Sequence, residues 1–439
     1  MSALPAASVG ESARFVGLVL VPSLLRGIIA PRRGWMQRLT AMNTDARAIA
    51  LLSDMRRNHP GEGVRLLGGR LVVLWGSDAT REVLDRSAEV YAGDSGAKGK
   101  AMCHFQPDAL TLSRGEAWRD RRAFNEAVLA TSERTHPLAE RFLAVVADEV
   151  DRLRIGDELS WADFEGLFDH ITLRVIFGDR SRGDQDLTER LERLMARGNR
   201  IVGSRDDDEY YELYGQLERK LRDPEPGSLL SRFADAPQTD RTRVVHQIPH
   251  WMFATRDTLG ANTYRALAVI VADPECERRV REELDGADLS DPAAVDGLRY
   301  LEGCLEETMR LWPTTPLLAR ETTRDTELAG EKLEEGTQVM ISNVFNHRDR
   351  DQLPDADGVN PERWANGRRD YRFNHLSNGS QDCPGGPLVL LLGKAVLARM
   401  LTEYRLSLRE PELPRDGALP EMLDFFGVRF GAELARSTR

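Results

Sequence analysis

The chain has 439 residues, enough to bury a sizeable core, and its 41% hydrophobic and 30% charged residues are the balance of a water-soluble globular protein. A formal net charge of -11 argues against a nucleic-acid partner, because such binding needs a basic surface to displace counterions. Four cysteines (Cys103, Cys276, Cys304 and Cys383) with no C-x-x-C pair rule against a disulfide framework and fit a reducing cytoplasm.

In chain order, the first feature is the apolar run 15–25. It contains Pro22, is too short to form a stable membrane span, and is followed by bulky or charged residues rather than a small-residue cleavage site. It reads as a helix within an N-terminal segment, residues 1–60, packed on the body. Residues 63–68 and 70–75 read as two strands turned by Gly68-Gly69. Apolar residues at three-to-four spacing then predict helices over 114–154, 161–176, 186–202, 208–222, 244–284 and 295–312. Gln338–Ser342 reads as another strand. From 343 to 382 the chain is rich in Asn, Asp, Arg, Pro and Gly without periodicity, which predicts a long ordered meander of the kind that carries function. An apolar helix over 384–404 follows. No repeat or low-complexity linker divides the chain, so the expectation is one unit over 1–439, mainly α with a small β region.

The chemistry gathers around Cys383. It follows a glycine-bearing loop, Leu376-Ser-Asn-Gly-Ser-Gln-Asp, and precedes Pro384-Gly-Gly and an apolar helix. Pro384 suits a first helical position, and loop amides with the helix dipole would stabilise a thiolate. Gly379 and Gly385 would let backbone approach a flat cofactor closely. Taken singly, such a cysteine is more often a small buried hydrophobe. Upstream, Glu307-x-x-Arg310 shares one helical face, an i,i+3 pair worth about 0.2–0.5 kcal/mol if merely exposed. Pro361-Glu-Arg-Trp364 places Arg363 twenty residues before Cys383. Asp257-Thr258 is an acid–hydroxyl pair inside a helical run.

In this order and at these separations the segments resemble the cytochrome P450 family, soluble bacterial type, from about residue 60 onward. The resemblance implies haem b (iron protoporphyrin IX) between a long distal helix and a proximal cysteine loop and helix, with Cys383 as the metal ligand. It implies that Glu307, Arg310 and Arg363 form a buried network bracing the cysteine loop. Trp118, Arg122, Arg320 and His104 are expected at the haem edge, the arginines on its propionates. Asp257 and Thr258 are expected to pass protons on the distal side. The sequence departs from the family at Thr255, where glycine is usual, and at Leu376, Ser377 and Gln381, where phenylalanine, glycine and a basic residue are usual. Thr255 is expected to back-bond or narrow the pocket, and Arg256 to lie exposed or carry positive charge towards substrate.

The implied activity is monooxygenation of a small organic substrate, cytoplasmic and in secondary metabolism, with electrons from a ferredoxin/ferredoxin reductase or flavodoxin-type donor. That donor would dock near Arg368, Arg369 and Arg372. The alternatives are a peroxide-driven hydroxylase on the same scaffold and a haem-binding carrier without chemistry.

Overall fold

A computed structural model describes residues 4–94, 96–200, 204–365, 370–414 and 417–435. The fold is mostly helical, with three small sheets. The largest has the strand order β1-β2-β8-β5-β3, built from Gly63–Leu66 (β1), Leu71–Leu74 (β2), Tyr91–Ala92 (β3), Leu317–Thr322 (β5) and Gln338–Ser342 (β8). Strands Glu158–Ser160 (β4), Tyr404–Glu410 (β9) and Arg429–Leu434 (β10) form the second sheet, and Thr326–Leu328 (β6) pairs with Glu331–Leu333 (β7).

The expected strands at 63–68, 70–75 and 338–342 are present, the first two antiparallel across the glycine turn. The predicted helix 114–154 is two helices, Gly115–Leu129 and Ala139–Arg152. The break follows Ala130, in left-handed backbone at φ 52°, and the connection carries Pro137, whose ring and missing N–H do not suit a helix interior. The stretch 244–284 divides at Asp273, whose carboxylate accepts from the amides of Glu275 and Cys276 at 2.9 and 3.2 Å and starts a new helix. Strands β5 and β10 lack a clear alternation in sequence, whereas in β9 Tyr404, Leu406 and Leu408 do alternate with Arg405, Ser407 and Arg409, within and just past the stretch expected to be helical.

A central rod, Ile248–Phe253, Ala254–Leu259 and Gly260–Ala272, runs through the molecule. Residues 260–270 are all buried, so this segment is apolar on every face, as a core helix must be. The helix Gly386–Glu403 lies against it, and Gly393 is the contact point. A Cβ there would press on Leu305, with Leu259 Cδ1 at 3.2 Å and Thr263 Oγ1 at 3.6 Å. Near the N-terminus, Phe15 and Val19 pack with Ile49, Leu52, Val64 and Phe345. No helix among the described residues is long and apolar enough to cross a membrane. All four cysteines are free thiols, with Cys276 and Cys304 Sγ 3.5 Å apart.

Candidate functional site

Glu307 and Arg310 lie on the helix Arg299–Leu311 and are wholly buried. Their side chains meet in a two-pronged pair, Nε–Oε1 and Nη2–Oε2, both 2.8 Å. This is no surface ion pair. Arg363 Nε and Trp364 Nε1 each donate to Glu307 Oε1 at 3.0 Å, and the Asn360 amide donates to Oε2 at 2.8 Å. Arg310 spends its remaining N–H groups on the carbonyls of His347, Ala356 and Gly358 at 2.7–2.8 Å. A charge pair taken from water survives only when its remaining donors and acceptors are satisfied, and here they are.

The link to the cysteine loop runs through a residue the sequence analysis did not single out. His347 Nε2 accepts from the Asn374 amide at 2.8 Å, so Nδ1 carries the proton and donates to the Arg310 carbonyl at 2.9 Å. Burial holds this imidazole well below its ordinary pKa, in the neutral form the two bonds require. Asn374 Oδ1 then accepts from Asn378 Nδ2 at 2.8 Å, at the head of the loop. Among single histidines in an aperiodic stretch, nothing but its place early in the meander could have marked His347.

The Cys383 amide donates to the Leu376 carbonyl at 2.9 Å, closing the loop on itself. Pro384 is not the first helical position. Residues 383–386 form a turn, Gly386 N to Cys383 O at 3.2 Å, and the helix begins at Gly386 with Pro387 in its first turn. Burial pushes the Cys383 thiol up, the Gly385 amide bonded to the sulfur lowers it, Asp382 raises it and Arg122 lowers it. The two loop glycines have different reasons. Gly379, at φ +69°, passes so close to the backbone of Leu84 and Asp85 that a Cβ would collide with it. Its close neighbour is the end of the helix Ser77–Asp85. A Cβ on Gly385 would stand 3.8 Å from Leu129 Cδ1 and 4.0 Å from the Cys383 sulfur, in ordinary contact with both.

The expected haem-edge residues separate. Trp118 and Arg122 share the helix Gly115–Leu129, but Arg122 is turned onto the cysteine loop itself. It donates to the Asp382 carbonyl and carboxylate at 2.6 Å each and to Glu126 Oε1 at 2.6 Å. These bonds tie the helix Gly115–Leu129 to the cysteine loop. The half-buried Trp118 indole N–H has no partner among the described residues. His104 is set by Arg205 and Arg197, whose charges with burial lower its pKa, and its buried Nδ1 has no partner. Arg320 on β5 is buried, and among the described residues its guanidinium donates to Ser87 Oγ at 2.9 Å and to its own strand's Ala319 carbonyl at 3.0 Å.

On the central rod, residues 254–259 form a π-turn that contains Thr255, Arg256, Asp257 and Thr258. The local widening that glycine usually permits is therefore reached with a threonine in place, and Thr255 makes no back-bond to the preceding turn. Arg256 corrects its expectation: it is buried, and carboxylates of Asp257 (3.2 Å), Asp169 (3.4 Å) and Glu192 surround it, so it presents no open charge to a substrate. Burial pushes Asp257 up to about 6; Arg256 opposes this, while Glu192, Glu165 and Asp169 add to it. Among the described residues, the buried Asp257 Oδ2 has no hydrogen-bond partner. The half-buried Thr258 hydroxyl, unlike that of Thr263, which donates to Leu259 O at 2.8 Å, is bonded to none of the described residues.

Arg368 and Arg369, two of the three expected docking arginines, lie outside the described residues. The third, Arg372, is paired with Asp370 through Nε at 2.8 Å and a second contact.

Comparison with known proteins agrees with this geometry. The profile of the family described as Cytochrome P450 matches residues 207–422. Similar curated proteins include Cytochrome P450 4V2 of Homo sapiens, 33% identical over 39% of this chain and 35% of that protein. Cytochrome P450 4V2 of Rattus norvegicus is 32% identical over 36% and 32% of the two chains. Cytochrome P450 4c3 of Drosophila melanogaster is 31% identical over 37% and 32%. The chain thus spans about a third of the length of these relatives, which are animal proteins rather than bacterial ones.

Haem is the cofactor of this family, and the residues present fit it. A free thiol just ahead of a helix would supply the sulfur, and Arg320 is a buried cation that no carboxylate among the described residues pairs. A Cβ on Gly93 would stand 3.5 Å from Arg320 Nη1 and 3.1 Å from Gln381 Oε1, so glycine is what lets these two side chains close in on the backbone beside the cysteine loop. By the match over 207–422, and by the buried glutamate–arginine pair tied to a cysteine loop, the chain belongs to the cytochrome P450 family.

Proposed function

We propose that the protein is a haem-thiolate monooxygenase, cytoplasmic and acting in secondary metabolism. It would insert one oxygen atom from O2 into a small apolar or mixed-polarity substrate, with electrons from a separate ferredoxin- or flavodoxin-type donor. Haem, when bound, supplies oxygen activation, favoured by the electron density a thiolate gives the iron. Cys383 would hold the metal, with the Gly385 amide on its sulfur. Arg320 and Trp118 would take the cofactor's carboxylates. Glu307, Arg310 and Arg363 act at a distance, fixing the loop through His347 and Asn374.

The observation that carries the reading is the π-turn. It offers an unbonded Thr258 hydroxyl beside Asp257, whose carboxyl titrates near 6 and can both accept and release a proton at neutral pH. Glu192, half-exposed, shares the Arg256 guanidinium with Asp257 and brings solvent exchange close to it. A peroxide-driven enzyme needs no such relay. The neutralised Arg256 removes the feature that favoured it.

In the test, Cys383→Ser is compared with the parent as the reduced, carbon-monoxide-treated protein. The strongly red-shifted absorption band is expected in the parent and lost in the variant; an unchanged band would refute the reading. Turnover with a ferredoxin system and O2 is expected to exceed turnover with peroxide, and product from peroxide alone would assign the other enzyme class.

A further inference from the structure

The central rod is buried on every side over 260–270, but not over 248–259. There His250, Phe253, Ala254, Asp257 and Thr258 keep partial exposure at three-to-four spacing, with Thr255 beside them. Trp251, Met252, Arg256 and Leu259, on the other side, are buried. Burial nonetheless pulls the His250 imidazole down to about 4, and the Lys98 charge adds to this. A ring so far from bulk water and yet partly exposed faces an opening inside the molecule, on the side that carries Thr258.

The ring is held through one nitrogen. Wholly buried Gln106 donates from Nε2 to His250 Nδ1 at 3.2 Å, and the same amide nitrogen lies 3.5 Å from Met102 Sδ. An amide nitrogen can only donate, so Nδ1 accepts and the ring proton sits on Nε2. Among the described residues His250 Nε2 has no partner. The buried Gln106 Oε1 has none among them either, so this amide is placed for the imidazole at a cost to its own oxygen. Its segment is anchored: the Gln106 backbone amide donates to the Met102 carbonyl at 2.9 Å, and the Tyr214 hydroxyl to the Phe105 carbonyl at 2.8 Å. Phe253 stands edge-on to His250 at 5.4 Å and to Phe105 at 6.2 Å, so aromatic faces flank the free N–H. The burial that keeps the imidazole neutral disfavours an ionised partner for the same reason, and the acceptor that fits is an uncharged oxygen.

We propose that His250 is a specificity-determining donor, whose Nε2–H, set by Gln106, pairs with a neutral carbonyl oxygen on an otherwise apolar substrate and so fixes which carbon lies beside Thr258. The assignment rests on the haem-enzyme reading and adds to it the class of substrate, a lipophilic carbonyl compound. A substrate without that oxygen leaves the buried N–H unpaired, which is how the site discriminates.

The experiment uses the full-length holoprotein with its His250→Phe, His250→Gln and Gln106→Leu variants. The carbon-monoxide band is recorded first in each, and reports the haem-thiolate reading independently. Spin-state titrations then compare cyclododecanone with cyclododecane and 4-phenylcyclohexanone with phenylcyclohexane. The parent is expected to bind the ketones about tenfold more tightly than the hydrocarbons. His250→Phe is expected to abolish that preference and His250→Gln to restore part of it, because the glutamine amide nitrogen stands near the place of Nε2. Gln106→Leu is expected to weaken it by releasing the tautomer. In nitrogen-15 histidine spectra of the carbon-monoxide complex, the ring signals that vanish in His250→Phe are expected to report a proton on Nε2. A proton on Nδ1 overturns the proposal while the band still stands. So does a ketone preference that survives His250→Phe, or a parent with no such preference, including one that responds to neither member of a pair.

Discussion

Asp257 shows how one side chain can carry a cost for the sake of chemistry. Its carboxyl is placed where burial and three neighbouring acids, Glu192, Glu165 and Asp169, disfavour charge, and only Arg256 opposes them. A carboxylate whose folded-state pKa is raised contributes stability below its unfolded value, near 4, and loses it as pH climbs through about 6. Asp257→Asn removes that titration. The variant is therefore expected to gain about 2–3 kcal/mol on the parent between pH 4 and pH 7, read by urea unfolding at each pH. A difference that stays level across that range would show that Asp257 is not strained. The acid and its threonine were legible in the chain as an adjacent acid–hydroxyl pair within the polar run 255–258 of an otherwise apolar helix. The fate of Arg256 was not, since its partners Asp169 and Glu192 come from helices some 60–90 residues earlier and no periodicity announces them.

At the level of elements, the helix Arg299–Leu311 is the brace of the site. It is clamped from outside as well as by its charges. A Cβ on Gly303 would collide with the backbone of Pro361, so the helix and the turn Pro361–Trp364 touch without a side chain between them. That contact puts Arg363 and Trp364 within reach of Glu307. Glu307→Gln leaves Arg310 buried with its counter-charge gone, and a loss of about 3–5 kcal/mol is expected by denaturant unfolding. A loss under 1 kcal/mol would mean the carbonyls around Arg310 suffice. The existence of this helix and the pairing of Glu307 with Arg310 could be read from i,i+3 spacing. Its burial could not, because the same spacing serves an exposed pair equally well. The misplaced start of the cysteine helix has a similar cause: Pro384 and Pro387 both satisfy the rule for a first turn, and the sequence offers no way to choose.

For the molecule as a whole, the mainly helical class, the central rod and the aperiodic meander followed from hydrophobic period and composition. The pairing of strands did not. In the largest sheet, β2 near residue 72 runs parallel to β8 near residue 340, and such a register depends on the tertiary path, not on local pattern. The same holds for the cysteine loop, most of whose supports come from the N-terminal third. Arg122 grips Asp382, Thr131 donates to the Pro384 carbonyl, and Ser380 Oγ donates to the Leu84 carbonyl and accepts from the Ala88 amide at 3.2 Å each.

Those supports make cofactor capture a late event in assembly. The sulfur's surroundings are set by partners between 253 and 296 residues away in sequence, so the entropy of closing those long loops is spent before the metal can be gripped. A fragment over 207–439 keeps the span that matches the family together with Glu307, Arg310 and Cys383, yet it lacks each of those N-terminal anchors. Such a fragment is expected to take up haem weakly and to show none of the red-shifted thiolate absorption. Supplying residues 1–206 in trans should restore it, and a fragment that binds haem unaided would show that the ligand loop is self-supporting.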